Sequence, residues 1–373
     1  MKDLETCRKE IDELDQQIIE LFEKRMSVGK DVVTYKLANN LEIFQSDREK
    51  QVIEKNVRRV SQDILKPYVK TFIQDMMNLS KSYQATFVPI TQRYDLHLPQ
   101  RENIIVGYQG VPGSFSEHAL ETFFGDETLR KNYENFEDVF QALEKDEIKY
   151  GVVPLENSST GAINDNYDLI RDYGFYIVGE QSLSISQHLL GIKGSSVKEL
   201  KEVYSHPQGL LQTSSYLSQY PYIQRKEYPN TATAAKFVSE QNDSTIGAIA
   251  SKKAADIYGL DILEENIQNI KNNSTRFIIF SKQLEKVEDA SHVSVVFTLN
   301  HQPGALYEVM KIIKGQNITM LRIESRPLKK TPWEYYFYVD IEGNLEQPNI
   351  IMALEDMKAH TNTLRVLGSY AKK

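Results

Sequence analysis

The sequence predicts a multidomain protein with three fold classes in tandem: an all-α helical region, an α/β region and a small α+β region of ferredoxin-like order. Three observations carry this. Apolar residues recur at three-four spacing through the first 85 residues, short apolar runs alternate with helical stretches after residue 103, and a β-α-β-β-α-β order closes the chain. At 373 residues there is room for two or three domains, each with its own core.

In the first region, Leu4, Cys7, Ile11, Leu14, Ile18, Leu21, Val28, Val32 and Tyr35 form a heptad seam. It predicts one helix over residues 4 to about 37, roughly 50 Å long at 1.5 Å per residue, which must pack on another helix. Ser46-Asp47-Arg48-Glu49 has the form of a capping box and predicts a second helix through Val52, Ile53, Val57 and Val60. A third follows Pro67, with Tyr68, Phe72, Ile73, Met76, Leu79 and Tyr83 on one stripe. These helices make a domain of residues 1–88, and the proline-flanked stretch 89–103 reads as a linker.

Apolar runs at 104–106, 150–153, 175–178, 202–204, 245–249 and 276–280 predict a largely parallel sheet in a domain of residues 104–283. The last domain, 290–373, reads as strands 293–299, 317–325, 333–341 and 363–369 with helices 304–314 and 347–359.

The formal charge of -8 lies wholly in the α/β region, where 16 basic groups meet 24 acidic ones; residues 1–88 balance at 15 and 15. With no basic run, nucleic acid is excluded as a partner. One cysteine, Cys7, allows no internal disulfide, and there is neither an apolar run of membrane length nor a signal-like opening. These features point to a cytoplasmic protein without a membrane partner.

The seam calls for an apolar residue at position 25 and carries Arg25. A buried guanidinium needs an anion, from the protein or from a ligand. Lys36, 11 residues on, returns to within about 20° of the same face, whereas Arg8 lies about 260° away and could serve such a site only on a partner chain. Ser80 and Gln84 face together on the third helix. The spacing fits a core ion pair as well as a ligand site.

In the α/β region, polar clusters follow the strands at 108–116, at Glu156-Asn157-Ser158-Ser159-Thr160 and at Ser205-His206-Pro207-Gln208, which predicts a cleft at the strand ends. Each cluster also fits a turn or a helix cap. Gly107, Gly110 and Gly113 are not a P-loop, since no Gly-Lys-Ser/Thr follows.

The segments LETCRKEIDELDQQIIELFEKR, Lys36, SDREKQVIEK and SKSYQ resemble the helical chorismate mutases that are fused to other aromatic-pathway enzymes, over nearly all of residues 1–85. The resemblance implies that Arg25, with Arg8 from the other protomer, holds the two carboxylates of chorismate. Lys36 and Gln84 would face the breaking ether oxygen, and Arg48, Glu49 and Ser80 would complete the pocket. Gln45 stands where some members carry an acidic residue. A pericyclic rearrangement asks for no cofactor and no metal, only a compact conformer and cations where charge builds.

YQGVPGSFSEHA, GVVPLENSSTGAINDNYDLI, SISQHLLGI, YSHPQGLLQ, NTATAA and NNSTRFIIF are similar to prephenate dehydratase, with Thr275-Arg276-Phe277 as its signature triplet. The implied fold is two α/β lobes around a cleft, like periplasmic solute-binding proteins. By resemblance, Thr275 donates to the hydroxyl that leaves as prephenate loses carbon dioxide and water. Arg276 would meet a substrate carboxylate, and Glu156, Asn157, Ser205, Gln212, Thr231, Thr233 and Phe277 would line the pocket. Asn230 stands where some members have a carboxylate.

His301-Gln302-Pro303-Gly304-Ala305-Leu306 and Glu324-Ser325-Arg326-Pro327 resemble the ACT domain that ends these dehydratases. This implies that Gly304, Ala305, Leu306, Glu324, Ser325 and Arg326 hold phenylalanine, an allosteric inhibitor, at a junction of chains in a homodimer or homotetramer. Two rival readings remain: a non-catalytic amino-acid sensor, and a dehydratase whose helical region is only a dimerisation arm.

Overall fold

The computed structural model describes residues 2–39, 41, 46–328 and 333–373. Gln45 lies outside them, as do the side chains of Ser46 and Asp47, on which the capping box depends. The chain forms two compact units, residues 1–95 with 296–365, and residues 96–295 with 366–373.

In the first unit, α1 (Leu4–Ala38) starts at Asp3, whose side chain accepts from Thr6 N at 2.8 Å. α2 (Ser46–Arg58) and α3 (Lys66–Ala85, with Pro67 in its first turn) follow, and α3 packs on both α1 and α2. Among the described residues most of the heptad seam of α1 is left uncovered. Its buried residues are Met26 and Val33, while Leu4 (67%), Leu14 (56%) and Leu21 (65%) are exposed.

The four strands His292–Thr298, Met320–Pro327, Tyr335–Glu342 and Thr363–Tyr370 run in the sheet order second, third, first, fourth, with helices Ala305–Gly315 and Pro348–His360 in the connections. This is the ferredoxin-like arrangement. Helix Pro348–His360 packs on α3, where Ser82 donates to Asp356 Oδ1, and Arg93 Nη2 donates to Leu345 O at 3.3 Å. Residues read as a linker thus carry structure: a helical turn at Ile90–Arg93, and a strand, Leu96–His97, paired with Leu284–Glu285.

The second unit has two lobes. In lobe one the strand order is Leu129–Tyr133, Ile105–Gln109, Tyr150–Asn157, Ser274–Ser281, Tyr176–Ser184. In lobe two it is Asp261–Glu264, His188–Gly191, Ile246–Ala250, Glu202–Ser205, Gln224–Glu227. The sheets are mixed, which corrects the expectation of largely parallel pairing. The chain leaves lobe one along Tyr176–Ser184 and returns along Ser274–Ser281, and the returning strand inserts antiparallel between two others. In lobe two, His188–Gly191 runs antiparallel to both of its neighbours. Strands such as Ile246–Ala250 are buried throughout, as expected when both faces are covered. Among the described residues no helix is long and apolar enough to cross a membrane.

Candidate functional site

Two sites emerge, one in each unit. The first lies where α1 crosses α3. Close approach requires Gly29: a Cβ there would sit 3.3 Å from both Gln84 Nε2 and Ser80 Oγ. Gln84 Nε2 donates to buried Ser80 Oγ at 2.9 Å, so the pair the sequence placed on one face forms a fixed unit. Arg25, one turn from Gly29, is half-buried, and its Nη1 is buried with no hydrogen-bond partner among the described residues. Burial pulls its pKa below the ordinary guanidinium value. A desolvated donor without an acceptor is costly, and an anionic ligand would relieve that cost.

Lys36 is half-buried further along α1, and Arg48 is exposed. Glu49 pairs with Lys81 Nζ at 3.1 Å. Arg8 is exposed and, 17 residues before Arg25 on one straight helix, about 25 Å from it, so it does not join this site within one chain.

The second site is a cavity of about 160 Å³ in the cleft of the two-lobed unit, lined by Asn157, Gln212, Thr231, Thr275 and Phe277 among the expected residues. Asn157 is the organising side chain. Its Nδ2 reaches Thr275 Oγ1 at 2.8 Å and Asn273 Oδ1 at 2.9 Å, while its Oδ1 accepts from Ser159 N and Thr160 N at 3.0 and 3.2 Å. Thr275 Oγ1 therefore accepts from Asn157 and keeps its own proton to donate.

Strand alternation decides the rest. Thr275 and Phe277 face the cavity, so Arg276 between them turns away, beside its cross-strand neighbour Glu156. Arg276 Nε donates to Glu180 Oε2 at 2.6 Å and its Nη2 to Tyr370 Oη at 2.9 Å. Neither Arg276 nor Glu156 lines this cavity. Ser205 is likewise outside it: fully buried, it donates to Ile249 O at 2.7 Å. Thr233 is taken up by the helix cap, donating to Asn230 O while Asn230 Oδ1 accepts from Thr233 N at 2.7 Å. Because Glu180 is buried, Arg276→Ala should cost about 3–5 kcal/mol of stability. Denaturation curves will show that loss, while KM for the ligand of the cleft stays within about twofold of wild type in the folded protein.

Ser114 and His206, from the polar clusters expected at the cleft, also line the cavity, as do Asn230 and Gln187, of which only Gln187 was not singled out from the sequence. Three of them cap helices that start at the cavity: Ser114 before Phe115–Phe124, His206 before Pro207–Gln212 and Asn230 before Thr231–Gln241. For Ser114 and His206 the signal was the polar cluster after a strand. Burial lowers the pKa of His206, whose Nδ1 accepts from Gln208 N at 3.2 Å, so its neutral form carries the proton on Nε2. No Lys or Arg lines the cavity among the described residues.

In the ferredoxin-like region Gly304 caps helix Ala305–Gly315 with φ +82, a conformation that favours glycine. Ala305 and Leu306 open that helix, and Glu324, Ser325 and Arg326 lie on strand Met320–Pro327, where alternation puts Ser325 on the face opposite the other two.

Half-buried Arg25 beside the Ser80–Gln84 pair, and a two-lobed hydrogen-bonding cleft, suit two separate small-molecule ligands. A family model for chorismate mutase type II matches residues 7–85, and one for prephenate dehydratase matches residues 106–285. The chain is 33% identical over 374 residues to the bifunctional chorismate mutase/prephenate dehydratase of Aquifex aeolicus (strain VF5), covering 100% of this chain and 99% of that relative. It is similar to the solved structure of prephenate dehydratase in complex with L-Phe from Arthrobacter aurescens, with TM-score 0.66, 26% identity, and coverage of 72% of this chain and 90% of that one. A structure described as GqqA, a quorum quenching acylase, gives TM-score 0.66 at 28% identity, covering 72% and 98%. The chain belongs to the bifunctional chorismate mutase/prephenate dehydratase family.

Proposed function

We propose that chorismate rearranges to prephenate in the helical site, that prephenate loses carbon dioxide and water in the cleft to give phenylpyruvate, and that phenylalanine inhibits the sequence. The observation that carries the second step is the Thr275 hydroxyl, held by Asn157 at 2.8 Å on the cavity wall. Hydroxide is a poor leaving group. An oriented O–H donor stabilises the charge that develops on it, and aromatisation supplies the driving force.

Prephenate is a dianion, and the cavity offers it neutral donors and the starts of helices Phe115–Phe124 and Thr231–Gln241. Backbone amides and helix dipoles suit carboxylates there, in the role that the sequence had given to Arg276. In the first site Arg25 would take one carboxylate of chorismate, Lys36 and Gln84 the ether oxygen, and Ser80, Glu49 and Arg48 the remaining contacts. The exposed α1 seam supports a homodimer in which a second copy covers it and brings Arg8 to the site.

Supplying chorismate to the full-length protein and following phenylpyruvate tests both steps. Turnover of prephenate alone would reduce residues 1–85 to a scaffold, and turnover of neither would leave the sensor reading. For regulation, the last domain is read as an ACT domain that holds phenylalanine at the start of helix Ala305–Gly315. Gly304→Ala strains the cap and should weaken phenylalanine inhibition about tenfold or more, with activity in its absence unchanged. Inhibition curves for the two proteins check this.

A further inference from the structure

The Glu117 carboxylate, in the segment YQGVPGSFSEHA, has no place in the chemistry above, yet it is 4% exposed. It lies in the first turn of helix Phe115–Phe124 and reaches back along the chain. Gly113 N donates to its Oε2 at 2.7 Å and Tyr108 Oη to its Oε1 at 3.2 Å. These bonds fix the turn that carries Ser114, Phe115 and Ser116, all on the cavity wall.

The other lobe closes on the same turn. From helix Lys252–Tyr258, Lys253 Nζ stands 3.6 Å from Glu117 Oε2 and also pairs with Glu121. Ser251 Oγ donates to Gly113 O at 3.0 Å, and Tyr258 Oη to Pro112 O at 2.7 Å. Gly113 has φ +89, and a Cβ there would lie 3.0 Å from Ala254 Cα, so the lobes meet backbone to backbone. Arg130 Nε, 3.5 Å from Glu117 Oε1, pairs with Glu121 as well. Two acids thus sit between one cation of their own lobe and one from across the cleft.

We infer that Glu117 and Lys253 are positioning residues of the dehydratase, an interlobe ion pair that ties the shape of the cavity wall to closure of the lobes. Apart, the lobes leave two neighbouring carboxylates to share Arg130. Together, they fix the Gly113 turn and with it the start of the helix that receives the substrate. Preformed closure lowers the ordering cost that substrate binding would otherwise bear.

Lys253→Met, Lys253→Arg and Glu117→Gln, made in the full chain, test this. Lys253→Met should raise the KM for prephenate on the order of tenfold with a smaller change in kcat, leave mutase turnover unchanged, and be largely rescued by Lys253→Arg. The double variant Lys253→Met/Glu117→Gln should lose less than the two single losses combined, the part of the Lys253 effect that remains coming from Glu121. Lys253 is partly exposed and away from the cavity, so its variants report even if Glu117→Gln fails to fold. Wild-type kinetics in Lys253→Met would overturn the assignment. So would equal loss of both activities with a lowered Tm, or additive losses in the double variant.

Discussion

Thr275→Val will lower dehydratase kcat by about 100- to 1,000-fold, the range for loss of one preorganised donor at a developing negative charge. The KM for prephenate will move little, because the hydrogen bond strengthens mainly as the C–O bond breaks. Valine keeps the shape of threonine and removes only the hydroxyl, and Asn157 retains Asn273 Oδ1 as an acceptor, so the wall survives. Thr275→Ser, with a hydroxyl at the same place but one fewer constraint on its rotamer, should keep most of the rate. Steady-state assays with prephenate, alongside chorismate turnover in the same preparation, read the effect. A Thr275→Val enzyme within about tenfold of wild type would remove Thr275 from the chemical step.

What could be read in advance divides along physical lines. Arg25 was visible because a charge in an apolar seam must be accounted for, and its Nη1 is buried without a hydrogen-bond partner among the described residues. Gln84 and Ser80 were visible because four residues of helix place them together, and they bond at 2.9 Å. The surroundings of Arg276 were hidden for the opposite reason. A signature triplet reads as one unit, but a strand sends its middle residue to the other face, and the acid that claims it, Glu180, lies 96 residues earlier in the chain. The mixed sheets escaped similarly, since an apolar run does not record its direction. Nor does an amphipathic stripe name its partner, and packing of helix Pro348–His360 on α3 could not be foreseen from either pattern.

The charge distribution bears on how the α/β region would hold a dianion. An acidic region that binds a dianion was expected to depend on Arg276, yet that guanidinium is held by Glu180. The cavity instead gathers helix starts capped by Ser114, His206 and Asn230. Their partial charges act at short range, where the acidic excess elsewhere on the region is screened within about 8–10 Å of solvent.

Mixing two inactive mutase variants should restore activity, and the amount follows from symmetry. Arg8 is exposed some 25 Å along α1 from Arg25, on a helix whose seam is open, so a site completed by the partner subunit's Arg8 requires a second copy laid along that seam. Arg8→Ala then damages the site on the neighbour, and Lys36→Ala the site on its own chain, each lowering mutase kcat/KM by about 100-fold or more through loss of a charge at a dianion or at the ether oxygen. In a mixed dimer one site collects both lesions and the other collects neither. Random exchange makes half the dimers mixed, with one of two sites intact, so an equal mixture should regain about a quarter of wild-type turnover. Native mass spectrometry can confirm the exchange. Full exchange without recovery would place each mutase site within a single chain, and the open seam of α1 would then need another occupant.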